Sequence, residues 1–148
     1  IEACLQAAAG HGASLVLFPE LSVTGYTCGD LFSQALLHER AREALLQLAA
    51  ATQRHDIHAV VGLPFALNGR LYNCAGVLGG GRVLGLVPKV YLPTTAEYYE
   101  ERWFTSAAGM GPAEVELGGA RVPLASELLF EDHARGCTFG IEICEDLW

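Results

Sequence analysis

Three polar residues with complementary chemistry each follow an apolar segment of this 148-residue chain. Glu20 comes just after the run that begins at Leu15, Lys89 follows residues 83–88, and Cys144 follows the last apolar segment. A side chain placed directly after a buried strand is held by the sheet and exposed by the loop. A thiolate can attack an amide carbon, a carboxylate can carry protons, and an ammonium group can stabilise the resulting oxyanion. These three residue types therefore suffice for acyl transfer.

Cys144 has sequence surroundings typical of a nucleophile. The apolar residues 137–143 predict a strand before it, and residues 145–148 are helix-like. The order strand, reactive residue, helix is that of a nucleophile elbow. A single cysteine after an apolar strand is also common as an inert buried thiol, and residues 137–148 alone leave both interpretations open. A Cys-His hydrolase is the alternative chemistry, with five candidate histidines: His11, His38, His55, His58 and His133.

The elements that must position these residues are predicted from periodicity and turn signals. Helical spacing predicts a helix over residues 1–11 and a second, longer one after Asp30, which we expect to act as its N-cap. Asn68-Gly69 predicts a hairpin turn. Strands are predicted at 15–18, 59–63, 71–78, 83–87, 115–117, 121–124 and 137–143. Because strands first alternate with helices and then follow one another directly, we expect a mixed α+β sheet with helices packed on it.

Composition narrows the classes of partner and compartment. Nine Lys and Arg against seventeen Asp and Glu give a formal net charge of −8, which disfavours binding to nucleic acid and to anionic membranes. No apolar run approaches the roughly 20 residues that span a bilayer. Five cysteines form an odd number without a C-x-x-C pair, so we expect neither a disulfide framework nor a zinc site. A reducing cytoplasm fits these features best.

The chain has the features of part of a larger domain. Its only methionine is Met110, and it stops at Trp148, four residues after Cys144. We therefore expect residues 1–148 to form the N-terminal portion of a single catalytic domain. Such a portion should leave sheet surface uncovered.

Three segments in order resemble the glutamate, lysine and cysteine motifs of the nitrilase, or carbon-nitrogen hydrolase, superfamily. The match is nearer to one branch, the glutaminase domains of glutamine-dependent NAD synthetases, and it covers essentially the whole chain. Those relatives typically have a tyrosine where this chain has Thr95. The matching segments are Phe18-Pro19-Glu20-Leu21-Ser22-Val23-Thr24-Gly25-Tyr26 with Gly29-Asp30-Leu31-Phe32, Pro88-Lys89-Val90-Tyr91-Leu92-Pro93 with Glu97-Tyr98-Tyr99-Glu100, and Glu142-Ile143-Cys144-Glu145-Asp146-Leu147-Trp148.

The resemblance implies a four-layer αββα fold and a role for each site residue. Cys144 is the implied nucleophile, Glu20 the general base and acid, and Lys89 the oxyanion stabiliser. Glu97 is implied as a second, supporting glutamate, and the backbone N–H of Glu145 as a further oxyanion donor.

The implied reaction is the hydrolysis of glutamine, which supplies ammonia for ATP-dependent conversion of deamido-NAD to NAD. The glutaminase step needs no cofactor or metal. ATP with Mg and deamido-NAD are expected on an appended synthetase domain that is absent from these residues, and a homo-oligomer is expected. A stand-alone nitrilase-type amidase and a catalytically silent interaction domain are the alternatives.

Overall fold

A computed structural model describes residues 1–148 as a six-stranded mixed sheet with two helices packed on one face. The strand order is β1-β2-β3-β4-β6-β5, with β1 parallel to β2 and β4 parallel to β6. The mixed α+β sheet expected from the sequence is thus confirmed. The elements are α1 (Glu2–Gly10), β1 (Leu15–Leu17), α2 (Ala35–His55), β2 (His58–Leu67), β3 (Arg70–Gly79), β4 (Arg82–Pro88), β5 (Ala113–Leu117), β6 (Ala120–Leu124), β7 (Leu129–Asp132), β8 (Cys137–Gly140) and 3-10 helices at Gly29–Ser33, Glu100–Arg102 and Cys144–Leu147.

Helix α2 covers one face of the sheet through a stripe of small and apolar residues. Ala41, Leu45, Ala49 and Thr52 recur at helical spacing and are all buried. Helix α2 packs against β2, β3 and β4, and its Leu45 and Ala49 belong to the largest of the three hydrophobic clusters. The outer face of α2 carries charged residues. No helix of the chain is both long and apolar enough to cross a membrane.

Tight turns join the central strands, so their register is closely specified. Asn68 and Gly69 have φ values of 51° and 74°, as the predicted hairpin between β2 and β3 requires. This hairpin pairs Leu63 with Cys74, and β4 in turn pairs Pro88 with Cys74. The end of β4 therefore lies beside the middle of β3, which in turn pairs with the middle of β2.

The sheet face opposite α2 carries a smaller core and, next to it, a group of polar side chains. Alternation along β3 places Asn73 and Val77 on this face. Val77 packs with Val87, Phe130 and Ile143, the last two contributed by the chain beyond the main sheet. Strands β7 and β8 form a separate two-stranded sheet there.

Two local expectations are wrong. Helix α2 begins after Gln34 without a side-chain cap, and Asp30 instead accepts hydrogen bonds from Arg102 and Trp103. The last strand ends at Gly140 rather than Ile143, because the residues that follow turn toward the main sheet.

Candidate active site

Glu20 is positioned by the strand that precedes it. Strand β1 runs parallel to β2, and the pairing continues one residue further because Phe18 N–H donates to the carbonyl of Val60 at 2.9 Å. The chain then turns sharply, with Leu21 at φ 53° and completely buried. These contacts anchor the backbone on both sides of Glu20.

Gly62 on β2 allows this turn to lie directly on the sheet. A Cβ atom at Gly62 would lie 2.2 Å from Leu21 N and 2.8 Å from Glu20 C, which is far inside van der Waals contact. Gly62 also accepts a hydrogen bond from Val23 N–H at 2.9 Å and donates to Ser22 Oγ at 3.2 Å. The absence of a side chain at residue 62 therefore sets the position of Glu20.

We expect Gly62→Ala to lower the free energy of unfolding by about 1 to 3 kcal/mol or more, because the methyl group must displace backbone rather than a flexible side chain. Gly111→Ala is the matched control, since nothing lies within 4 Å of a Cβ there. Denaturant titration of both variants measures the difference. Equal stability of the two variants would show that the Glu20 turn moves aside at no cost.

Lys89 lies immediately after β4 with its side chain completely buried. Its Nζ donates to Glu20 Oε1 at 2.7 Å and to Glu100 Oε1 at 2.8 Å. Burial by itself lowers the pKa of Lys89, but the hydrogen bonds to Glu100 and Glu20 and their negative charges outweigh it, so the pKa is raised. The lysine is therefore a fixed cation held between two carboxylates.

Glu100, not Glu97, is the second glutamate at Lys89. Glu97 is exposed and makes no hydrogen bond or ion pair, which differs from the supporting contact expected of it. Glu100 is 1% exposed, and its Oε1 also accepts a hydrogen bond from Tyr26 OH at 2.7 Å. Burial raises the pKa of Tyr26, and the hydrogen bond and charge of Glu100 raise it further, so this phenol remains a donor.

Asn73 joins the same network and was not singled out from the sequence. Its side-chain amide donates to Glu20 Oε1 at 2.5 Å and to Glu100 Oε2 at 3.4 Å. Lys89 is its neighbour across the strands, because Lys89 N–H donates to the Asn73 carbonyl at 2.8 Å. The one sequence feature that could have indicated Asn73 is its polar amide within the otherwise apolar predicted strand at residues 71–78.

Cys144 faces the same cleft as Glu20. The cleft has a volume of about 210 Å³, and its lining includes Glu20, Asn73, Glu142 and Cys144. Cys144 is exposed and has φ 51°, a left-handed conformation that is rare for a residue with a side chain and typical of strained nucleophile turns.

Asp146 ties the turn at Cys144 to the segment that follows Lys89. Its Oδ1 accepts hydrogen bonds from the backbone N–H groups of Val90 at 3.1 Å and Tyr91 at 2.8 Å. This carboxylate therefore connects the chain around the thiol to the chain around the ammonium group. The sequence motif contained Asp146, but nothing in its spacing indicated this contact.

These side chains form an acid-base network beside a thiol. Glu20 Oε1 accepts a hydrogen bond from Lys89 Nζ, and Glu20 and Cys144 line the same cleft. The arrangement can carry a proton between a thiol and a carboxylate beside a fixed positive charge. No group of three or more His, Cys, Asp or Glu side chains is placed to hold a metal ion.

The sheet and this network define the class as an α+β protein of the nitrilase type. An amidase of Nesterenkonia from the nitrilase superfamily has the same fold, with 25% identity, a TM-score of 0.62, and coverage of 84% of this chain and 46% of the amidase. The chain belongs to the carbon-nitrogen hydrolase family, whose model matches residues 1–148.

Several similar proteins are glutamine-dependent NAD(+) synthetases. One from Mycobacterium tuberculosis is 39% identical over 138 residues, covering 93% of this chain and 20% of that protein. One from Xylella fastidiosa is 37% identical over 143 residues, covering 97% of this chain and 23% of that protein. The crystal structure of the Cytophaga hutchinsonii synthetase matches with a TM-score of 0.90 and 30% identity, over 98% of this chain and 24% of that chain. The chain thus spans about a fifth of the length of the curated relatives it matches.

Proposed function

We propose that this chain is the N-terminal portion of the glutamine-hydrolysing domain of a glutamine-dependent NAD synthetase. The observation that carries the proposal is that Glu20, hydrogen bonded to the buried Lys89, lines one cleft together with Cys144. Support for glutamine as substrate comes from relatives at 37–39% identity that are glutamine-dependent NAD(+) synthetases.

In the proposed reaction, Glu20 takes the proton of the Cys144 thiol and the thiolate attacks the side-chain amide carbon of glutamine. Lys89 and the backbone N–H of Glu145 stabilise the oxyanion that forms. The carbon–nitrogen bond then breaks, ammonia leaves with the proton from Glu20, and a thioester remains on Cys144. Glu20 next takes a proton from water, whose oxygen attacks the thioester to release glutamate and restore the thiol.

The ammonia is proposed to be used by a synthetase domain outside residues 1–148. ATP with Mg and deamido-NAD are assigned to that domain, and no residue described above is assigned to them. A homo-oligomer in the cytoplasm is part of the same proposal. All five cysteines are free thiols, which is compatible with a reducing compartment.

The proposal predicts that a chloroketone analogue of glutamine labels Cys144 selectively in the full-length protein. Cys4 and Cys137 are also exposed thiols and serve as internal controls. Cys74 is fully buried, and burial raises its pKa, so it should not react. Peptide mass mapping after labelling, with and without glutamine, measures the selectivity.

Each outcome of the labelling separates one interpretation. Labelling of Cys144 that glutamine prevents supports the proposed substrate. Protection by a short aliphatic amide but not by glutamine would favour a nitrilase-type amidase. Equal labelling of Cys4, Cys137 and Cys144 without protection would favour a catalytically silent domain.

A further inference from the structure

Asn73 is a buried amide between two carboxylates of the site. The residue is 1% exposed in the middle of the sheet, and its Nδ2 donates to both Glu20 and Glu100. An ionised carboxylate only accepts hydrogen bonds, so the amide nitrogen must face Glu20 and Glu100. The orientation of the Asn73 side chain is therefore determined by its two neighbours.

This orientation leaves Asn73 Oδ1 without a hydrogen-bond partner, the one such buried side-chain atom in the protein. A buried unsatisfied oxygen destabilises a fold, whereas an apolar residue of similar volume would fill the same space without this penalty. Packing does not explain an asparagine at residue 73. What the residue provides is the pair of N–H donors.

The hydrogen bonds on Glu20 are distributed unequally between its two oxygens. Oε1 accepts from Lys89 Nζ at 2.7 Å and from Asn73 Nδ2 at 2.5 Å, whereas Oε2 accepts from no group of the protein. The Glu20 side chain is 20% exposed and reaches the cleft that Cys144 also lines. Two donors on one oxygen fix the carboxylate rotamer and leave the other oxygen available to the cleft.

We propose that Asn73 is a positioning residue that holds Glu20 Oε1 away from the reaction, so that Oε2 is the oxygen that exchanges protons with Cys144 and with water. The inference rests on the proposed glutaminase function. Lys89 alone provides one donor, about which the carboxylate can still rotate. Asn73 supplies a second donor from a different direction, because Asn73 lies on β3 whereas Lys89 lies at the end of β4. Together the two donors fix the Glu20 carboxylate.

Three variants of the full-length protein test this role: Asn73→Leu, Asn73→Asp and the control Val77→Ala. Leucine keeps the volume and removes the donor. Val77 is fully buried on the same face of the same strand but contacts neither carboxylate. We expect Asn73→Leu to lower kcat for glutamine hydrolysis by about 10- to 100-fold with little change in KM, as is usual for residues that orient a reacting group. Val77→Ala should lower stability and leave kcat nearly unchanged.

Asn73→Asp adds a pH signature that loss of packing cannot produce. At high pH the introduced carboxylate faces Glu20 and Glu100, with Lys89 the one cation between them, and it cannot donate. When protonated, the introduced carboxyl can donate to Glu20 as the amide does. We therefore expect the ratio of kcat for Asn73→Asp to kcat for the native enzyme to rise as pH falls from about 8 to 5, with no such rise for Asn73→Leu.

Several results would overturn the inference. Native kcat in Asn73→Leu, an equal loss of kcat in Val77→Ala, or a ratio for Asn73→Asp that does not change with pH would each show that Asn73 acts through packing alone. If Asn73→Leu does not fold, Asn73→Ala adds no bulk and carries the same expectation. Absence of glutaminase activity in the native protein would refute the proposed function instead, so the two failures are distinguishable.

Discussion

We expect Cys144→Ala to abolish NAD synthesis from glutamine in the full-length protein and to leave synthesis from added ammonia intact. In the proposed reaction the thiol is needed only to form the thioester that releases ammonia, so its loss should not affect the later step that consumes ammonia. Removal of a catalytic nucleophile costs on the order of 10⁴-fold or more in turnover. Steady-state assays with each nitrogen source on the same preparation measure both activities.

Cys4→Ala is the matched control for this experiment. Cys4 is also an exposed thiol, but it lies on α1, and α1 packs against α2 rather than beside the cleft. This variant should retain both activities. Near-normal glutamine turnover in Cys144→Ala would contradict the role of the thiol, and loss of ammonia-driven synthesis would point to a folding defect.

The second large effect is expected from Lys89→Met. Methionine fills a similar volume but leaves Glu20 and Glu100 without the cation that lies 2.7 Å and 2.8 Å from them. Removing one partner of a buried ion pair lowers the free energy of unfolding by about 3 to 5 kcal/mol. If the lysine is a principal oxyanion donor, turnover should also lose about 2.7 to 4 kcal/mol of transition-state stabilisation.

The pH dependence of this loss has a definite sign. The pKa of Lys89 is raised above its ordinary value of 10.5, so in the native protein its contribution to stability is complete at neutral pH and is lost only as pH rises through the folded-state pKa. In Lys89→Met, proton uptake by one carboxyl relieves the repulsion between the two. The stability deficit of Lys89→Met should therefore shrink as pH is lowered from neutral.

Denaturant titration of Lys89→Met between acidic and neutral pH tests this sign. Val87→Ala is the control, because Val87 is buried two residues earlier on the same face and carries no charge. Its deficit should not change with pH. An Lys89→Met deficit that is equally independent of pH would show that the two glutamates do not depend on the lysine for charge compensation.

The positions of Glu20 and Lys89 could be predicted from the sequence because each residue follows a run of apolar residues. Such runs predict strands, and neighbouring strands bring their ends to one region of a sheet. The identity of the second glutamate beside Lys89 could not be predicted in this way. Residues 92–99 form an irregular loop without periodicity, so no pattern indicates which of Glu97, Glu100 or Glu101 turns inward. A 3-10 turn at Glu100–Arg102 decides it in the structure.

The other differences also come from tertiary contacts. Asp30 precedes a helical pattern, but its carboxylate pairs with Arg102, which is 72 residues away along the chain. In the sequence Asn73 is only a polar residue within an apolar strand, and its role is evident only from its contacts with Glu20 and Glu100. In both cases the partner lies far along the sequence, and local spacing carries no information about it.

The hydrogen bonds from Val90 and Tyr91 to Asp146 have a consequence for how the chain tolerates insertions. They close a loop of more than fifty residues at its two ends, directly beside Lys89 and Cys144. A closed loop becomes longer at little entropic cost, since each doubling of its length adds only about 0.6 kcal/mol. Extra residues at the exposed Gly118-Gly119 turn between β5 and β6 should therefore leave the separation of thiol and ammonium unchanged.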